Sequence, residues 1–308
     1  MGYNIPRHER GDVMRIEVLP VGATGSSMSF AHFGGEGDLI ILIHGLGGNH
    51  LNWAGVGGAL TPWGRVVAPD LPGFGLSPPP SRGHAHLQDH LAALNTLVES
   101  LSPRRPVTLV GNSMGGALAI HYAATWPEQV HKMILVAPAA PPPPSRQMDP
   151  AVLARFAALF VPGVGELWMK RTTSKYGPRR MAMGTLKQVT ADLGRVDPTL
   201  VERHLEMATH RSTHMPWTHK AFLGSARSLL THIVFQRGRY RAHVAGVKAE
   251  VLVIQGEKDR LVTVASSAQL KEWRPDWTLE QWPHVGHVPQ MEDPEAFIRR
   301  FGEFVGRG

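Results

Sequence analysis

Hydrophobic and polar positions change period along this chain, and the changes mark out its elements. Over residues 86–101 the apolar Leu87, Leu91, Leu94, Leu97, Val98 and Leu101 recur at three- and four-residue spacing. That spacing predicts an amphipathic helix with one buried face. Before it, residues 13–19 and 28–33 read as strands joined by a turn region at 22–27. Residues 39–43 are uninterrupted apolar, as in a strand covered on both faces. A weak helix is expected over 49–60, broken by Gly55, Gly57 and Gly58, then a short strand at 65–68 that runs into the turn-rich segment 69–77. Residues 107–110 are an apolar strand, followed by a small-residue helix to Trp126, where Pro127 ends it. Residues 132–137 make the next strand. Strand and helix alternate throughout this stretch, which predicts an α/β fold with a mostly parallel sheet flanked by helices.

The alternation then stops. Pro138 and Pro141 to Pro144 form a stiff breaker, and residues 148–230 carry helical patterns with no convincing strand. Helix candidates lie at 151–160, 167–170, 199–208 and 219–232. A strand pattern resumes at 250–255, followed by a helix over 262–273 and a strand over 277–282. The last helix opens at Asp293-Pro294-Glu295, with Asp as N-cap and Pro in the first turn. The reading is a core domain of residues 1–138 and 231–308, with a helical cap inserted at 139–230. Methionines and large aromatics gather in that insertion, among them Trp168, Met169, Met181, Met183, Met207, Met215 and Trp217. They suit an adaptable apolar wall for a small-molecule substrate as well as plain packing of the insertion.

The strand at 107–110 passes into its helix through Gly111-Asn112-Ser113-Met114-Gly115-Gly116. A serine on a sharp strand-to-helix turn needs small residues two before and two after it, and Gly111 and Gly115 supply them. A serine hydroxyl is a weak nucleophile near neutral pH and requires a base, itself oriented by an acid. Seventeen histidines leave the base ambiguous by count. Position favours His287, in the loop after the last strand, over His284. Asp259, in a turn after the strand at 250–255, is favoured as the acid over Glu257. Two backbone donors complete the set: the N–H of Met114, and that of Leu46 in the loop His44-Gly45-Leu46, with His44 holding that loop.

Composition adds exclusions. The chain has no cysteine, which removes disulfides, thiolate catalysis and Cys-based metal sites. The first residues show no apolar run ahead of a cleavage site, and no apolar stretch is long enough to span a bilayer. The expectation is a cytoplasmic protein. The net charge of +7 comes from arginines and lysines spread over the chain, with loose clusters at Lys170-Arg171, Arg179-Arg180 and Arg237 to Arg241. No basic helix or aromatic-basic motif accompanies them, so no nucleic-acid partner is expected. No metal or organic cofactor is implied, because a triad with backbone donors suffices.

Taken in order, His44-Gly45, Asp70-Leu71-Pro72-Gly73-Phe74-Gly75-Leu76-Ser77, Gly111 to Gly116, Gly256-Glu257-Lys258-Asp259 and Gly286-His287 resemble the α/β-hydrolase superfamily over residues 13–305. The resemblance implies a serine hydrolase of carboxylic esters or related acyl bonds that works through an acyl-enzyme. Epoxide hydrolases and haloalkane dehalogenases of this fold carry Asp where this chain has Ser113, which argues against both chemistries. The phrase Gly-Asn-Ser-Met-Gly-Gly is also similar to the C–C bond hydrolases of meta-cleavage products. Those enzymes usually have a tryptophan after the catalytic histidine, where this chain has Val288, and an arginine in the cap. Arg179, Arg195, Arg203 and Arg211 are the candidates for that arginine, and the sequence does not choose among them. A ligand-binding protein that keeps the fold and a nominal triad is a third reading.

Overall fold

The structure is a computed structural model that describes residues 14–21, 26–143, 161 and 163–306. Its organising principle is visible in the strand β3 (Leu39–Ile43), all five of whose side chains are buried. Leu39, Ile41 and Ile43 enter one hydrophobic core, and Ile40 and Leu42 enter another. Successive side chains of a strand point to opposite faces, so an uninterrupted apolar run is what a sheet covered on both sides requires. The same split recurs in β5 (Val107–Asn112), β6 (Val130–Val136) and β7 (Glu250–Gly256): Leu109, Met133 and Val253 face one core, while Val110, Ile134 and Leu252 face the other.

With β1 (Arg15–Val21), β2 (Ser26–Gly34), β4 (Arg65–Pro69) and β8 (Thr278–Trp282), these strands make one eight-stranded sheet in the order β1-β2-β4-β3-β5-β6-β7-β8. The pairs β1–β2 and β2–β4 are antiparallel, and every other pair is parallel. The edge strand β8 carries the exposed, polar Thr278 and Gln281, which keeps it from templating a further strand.

The helices α1 (Leu87–Leu101) and α2 (Met114–Thr125) cover one face of the sheet. The C-terminal helix α10 (Pro294–Val305) covers the other with Phe297, Phe301 and Phe304, all buried. As its sequence predicts, the Asp293 side chain caps it by accepting the Ala296 N–H at 3.2 Å. The expected helix at 49–60 is instead two 3₁₀ helices, His50–Trp53 and Gly57–Trp63. Three glycines and a proline in one short stretch disfavour a continuous α-helix.

Between β6 and β7 the described chain has no strand. It carries α3 (Val164–Tyr176), α4 (Pro178–Val189), α5 (Pro198–His214) and α6 (Thr218–Leu230), then a π turn at Thr231–Phe235 and α7 (Arg237–Gly246). The helix expected at 151–160 lies outside the described residues. Two helices escape the hydrophobic pattern. In α4 only Leu186 is buried, and in α7 only Tyr240 and Val244 are, so neither shows a full apolar stripe. A third apolar cluster joins this helical segment to the sheet domain: Leu186, Val196, Leu200, Leu205 and Met207 pack with Leu51, Val288 and Met291. Trp168, by contrast, is 54% exposed. The remaining helices are α8 (Val264–Trp273) and the short α9 (Pro289–Glu292). No helix among the described residues is long and apolar enough to cross a membrane.

Candidate active site

Four loops meet at the carboxyl edge of the sheet, one after each of β3, β5, β7 and β8. This is the edge where open α/β sheets place their ligands. Ser113 follows β5 directly and has φ 54° and ψ −116°. A non-glycine residue in that region is strained by about 1–3 kcal/mol and is held only where its surroundings overdetermine it. The glycines around it provide that constraint. A Cβ on Gly111 would lie 2.4 Å from the carbonyl oxygen of Gly115, and one on Gly115 would lie 2.2 Å from that of Ile43. The Ser113 N–H donates to Val136 O at 3.0 Å, and Ser113 O accepts the N–H of Ala139 at 2.9 Å. The elbow is thereby stitched to the strand beside it.

Of the two acids weighed in the sequence, Glu257 is exposed, while the Asp259 carboxylate is fully buried. Asp259 Oδ1 accepts the N–H groups of Leu261 and Val262 at 2.7 and 3.0 Å, and Oδ2 accepts Gln255 Nε2 at 3.2 Å. His287 Nδ1 lies 2.7 Å from Asp259 Oδ2. A carboxylate only accepts, so the Nδ1–H of His287 is the donor, which leaves Nε2 as the nitrogen a general base would use. His284 is exposed, and its carbonyl accepts Arg195 Nη1 at 2.8 Å.

The loop after β3 comes close to the serine. A Cβ on Gly45 would sit 3.1 Å from Ser113 Cβ. His44 is fully buried; its Nδ1–H donates to Gly45 O at 2.7 Å, and its Nε2 accepts the Leu71 N–H at 3.0 Å. Burial lowers its pKa to about 4, with Asp70 and the Gly45 carbonyl opposing, so the ring is neutral near pH 7 and spans two loops. Met114 is the first residue of α2, where N–H groups lack intrahelical acceptors. Leu46 follows Gly45 in the β3 loop and is partly buried.

Three further sets of contacts hold these loops. Asn112 Nδ2 donates to His287 O at 2.9 Å and to Val136 O at 3.1 Å. The buried Glu292 carboxylate accepts three backbone N–H groups: Gly286 at 2.6 Å, Ala191 at 2.7 Å and Asp192 at 3.1 Å. It joins the histidine loop to the segment after α4, and the His287 N–H joins that loop to the end of α4 itself by donating to Val189 O at 2.7 Å. Asp70 accepts His50 N at 2.7 Å, His50 Nδ1 at 2.9 Å and Leu76 N at 2.9 Å. Burial alone would raise the Asp70 carboxyl, but His50, His44 and the Leu76 N–H hold it below its ordinary value. Both carboxylates accept main-chain N–H groups; Asp70 opens the Asp70–Ser77 motif, whereas no motif points to Glu292.

Among the candidate arginines, Arg211 of α5 is 8% exposed. Its Nη2 donates to Gly73 O at 3.0 Å, and its guanidinium lies 5.9 Å from the centre of the Phe74 ring, which itself packs edge-on against His44. Its Nε is buried without a hydrogen-bond partner. Burial lowers the Arg211 pKa to about 10, against the pull of Asp70. Arg179 pairs with Glu202 at the surface, and Arg195 with Asp293.

The family model described as the alpha/beta hydrolase fold matches residues 38–294. The chain belongs to that family. It is 26% identical over 277 residues to the 2-hydroxy-6-oxo-2,4-heptadienoate hydrolase of Pseudomonas putida, covering 89% of this chain and 91% of that one. It is 24% identical to Lipase 1 of Psychrobacter immobilis, covering 88% of this chain and 78% of the lipase. Among solved structures, the haloalkane dehalogenase DatA of Agrobacterium tumefaciens C58 superposes with a TM-score of 0.77 at 22% identity, covering 95% of this chain and 97% of that one. That likeness is one of fold. This hydrolase has Ser113 at its elbow.

Proposed function

We propose that this hydrolase cleaves a carboxylic ester or related acyl bond through a covalent acyl-enzyme on Ser113. His287 Nε2 takes the hydroxyl proton as Ser113 Oγ attacks the carbonyl carbon, and Asp259 orients and stabilises the imidazolium. The N–H groups of Leu46 and Met114 receive the oxyanion. The proton then passes to the leaving alcohol, and a water activated by the same histidine releases the acid. The observation that carries this reading is the 2.7 Å contact from His287 Nδ1 to the buried Asp259, beside an elbow strained at Ser113. We further propose that residues 139–230 act as a cap over this edge. The packing of Leu186, Val196 and Leu200 against Leu51, Val288 and Met291 supports that role.

A second reading, hydrolysis of the C–C bond of a meta-cleavage product, is favoured by one feature. Arg211 is a buried cation with an unpaired Nε beside the loop of His44, suited to a substrate carboxylate. One panel separates the readings: neutral aryl esters, thioesters, lactones and a coloured meta-cleavage product, compared by kcat/KM. Ester turnover well above that of the dienoate supports the first reading; the reverse order supports the second. Tight binding of panel compounds with no turnover of any would reject both in favour of a binding protein.

A further inference from the structure

Away from the strand-edge loops, three histidines from three elements converge. His121 lies on α2, His232 on the π turn and His243 on α7. One candidate ligand nitrogen from each lies within 4.8 Å of the other two. The rings of His121 and His243 stack at 4.0 Å, and that of His232 sits 5.6 and 5.4 Å from them. We propose that these three side chains form a binding site for a borderline divalent transition-metal ion such as Zn²⁺.

The chemistry of the cluster supports this. Nδ1 of His121 and Nδ1 of His243 are both shielded from solvent and have no hydrogen-bond partner. A buried polar atom left unpaired is unfavourable, and few native groups are left so without a reason. A bound cation supplies the reason, since a neutral imidazole offers it a lone pair. His232 Nδ1 lies 3.4 Å from Gln236 Oε1, which leaves Nε2 for the ion and makes Gln236 its outer support. Burial, the neighbouring rings and the nearby Arg239 hold the His121 pKa down at about 4. Burial and Arg239 also lower His232 and His243, the latter with His232 contributing.

The backbone supports it as well. The helix after α6 widens so that Gln236 N bonds to Thr231 O at 3.1 Å, a five-residue step. Such π turns are rare and concentrate at functional positions, and this one carries His232. Three imidazoles with no carboxylate select Zn²⁺, Ni²⁺ or Cu²⁺ over Mg²⁺ or Ca²⁺. In a tetrahedral site with Zn–N near 2.0–2.1 Å the nitrogens stand about 3.4 Å apart, so a bound ion would draw together rings whose nitrogens lie within 4.8 Å here. His121 is seven residues along α2 from Met114, about 11 Å along the axis. An ion here touches none of the triad; it would tie the end of the helical segment to the nucleophile's helix.

The test is titration of the chelator-treated full chain with Zn²⁺ at pH 7 in competition with a chromophoric chelator, with Co²⁺ as a spectroscopic probe. The expected result is one equivalent bound, a visible Co²⁺ spectrum of a low-coordinate nitrogen site, and a Zn²⁺-dependent rise in Tm. His121→Gln and His243→Gln should each weaken binding at least tenfold without changing basal hydrolysis. His210→Gln, in a stacked histidine pair elsewhere on α5, should leave binding unchanged. The exposed Arg239→Ala removes a nearby positive charge without touching a ligand and should tighten Zn²⁺ several-fold. Absence of stoichiometric binding by the wild-type chain overturns the proposal. So does binding that survives both His121→Gln and His243→Gln.

Discussion

Asn112, the residue before Ser113, donates its side-chain amide to the main-chain oxygen of His287 at 2.9 Å. The proposed nucleophile and base sit on loops 174 residues apart, and this bond fastens one to the other. A reacting geometry lost by about an ångström can reduce turnover a hundredfold. Asn112→Ala should therefore lower kcat by about 10–100-fold with little change in KM, in a folded protein. Asn112→Asp should be worse, because a carboxylate would face two carbonyl oxygens. Steady-state kinetics with circular dichroism on each variant checks this; unchanged kcat in Asn112→Ala would remove the fastening role.

The elbow glycines act by exclusion. Gly115→Ala places a methyl 2.2 Å from Ile43 O, against backbone that cannot rotate aside. Overpacking of that kind destabilises by about 3 kcal/mol. Urea denaturation should show the loss, whereas Gly184→Ala, with open space around its Cα and a helical backbone, should be neutral or slightly stabilising.

Stability should fall in mild acid. His44 and His204 have pKa values lowered to about 4 and His90 to about 3, in each case first by burial. The unfolded chain regains histidines near 6.5 and so binds more protons than the native state below that pH. Their contribution is complete above pH 6.5 and is lost as pH falls toward 4. Each can contribute a slope of up to about 1.4 kcal/mol per pH unit. Urea midpoints measured from pH 7.5 to 4.5 should decline, and His90→Gln should flatten the decline by about one proton. A flat profile in the parent chain would contradict the buried neutral histidines.

Glu292 ties the histidine loop to the helical segment through three N–H groups. Glu292→Gln keeps the size but loses one acceptor oxygen and the charge, and charge-assisted hydrogen bonds are worth about 1.5–3 kcal/mol each. Tm should drop, and KM and kcat should both move, since the base's loop and the helices packed on it loosen together. A variant that lost only stability, with kinetic constants intact, would separate the two.

Arg211→Gln should discriminate substrates. If the guanidinium meets a substrate carboxylate, the variant should lose turnover of an anionic dienoate by tenfold or more while keeping that of a neutral ester. Equal losses on both would assign Arg211 to packing beneath Phe74, where its Nη2 already holds Gly73 O.

The sheet was legible because its central strands are buried on both faces and therefore written in uninterrupted apolar runs, as in Leu39–Ile43. The contacts of Asp259 with His287 were legible because turn residues and strand order confine them to two loops. What stayed hidden has a physical pattern. Helices α4 and α7 bury too few apolar residues to show a period. Glu292 and Asn112 act on main-chain atoms, which leave no side-chain partner in the sequence. His121, His232 and His243 come from three elements up to 122 residues apart, and only the packed fold brings them together.

The central claim is that Ser113 becomes acylated. Brief reaction with an aryl ester, acid quench and peptide mass spectrometry should find one acyl group on the peptide that contains Ser113. The same peptide should be labelled by a fluorophosphonate. Ser113→Ala should abolish both signals and lower kcat by more than about 10⁴-fold. Label carried on another residue, or ester turnover retained in Ser113→Ala, would contradict the account.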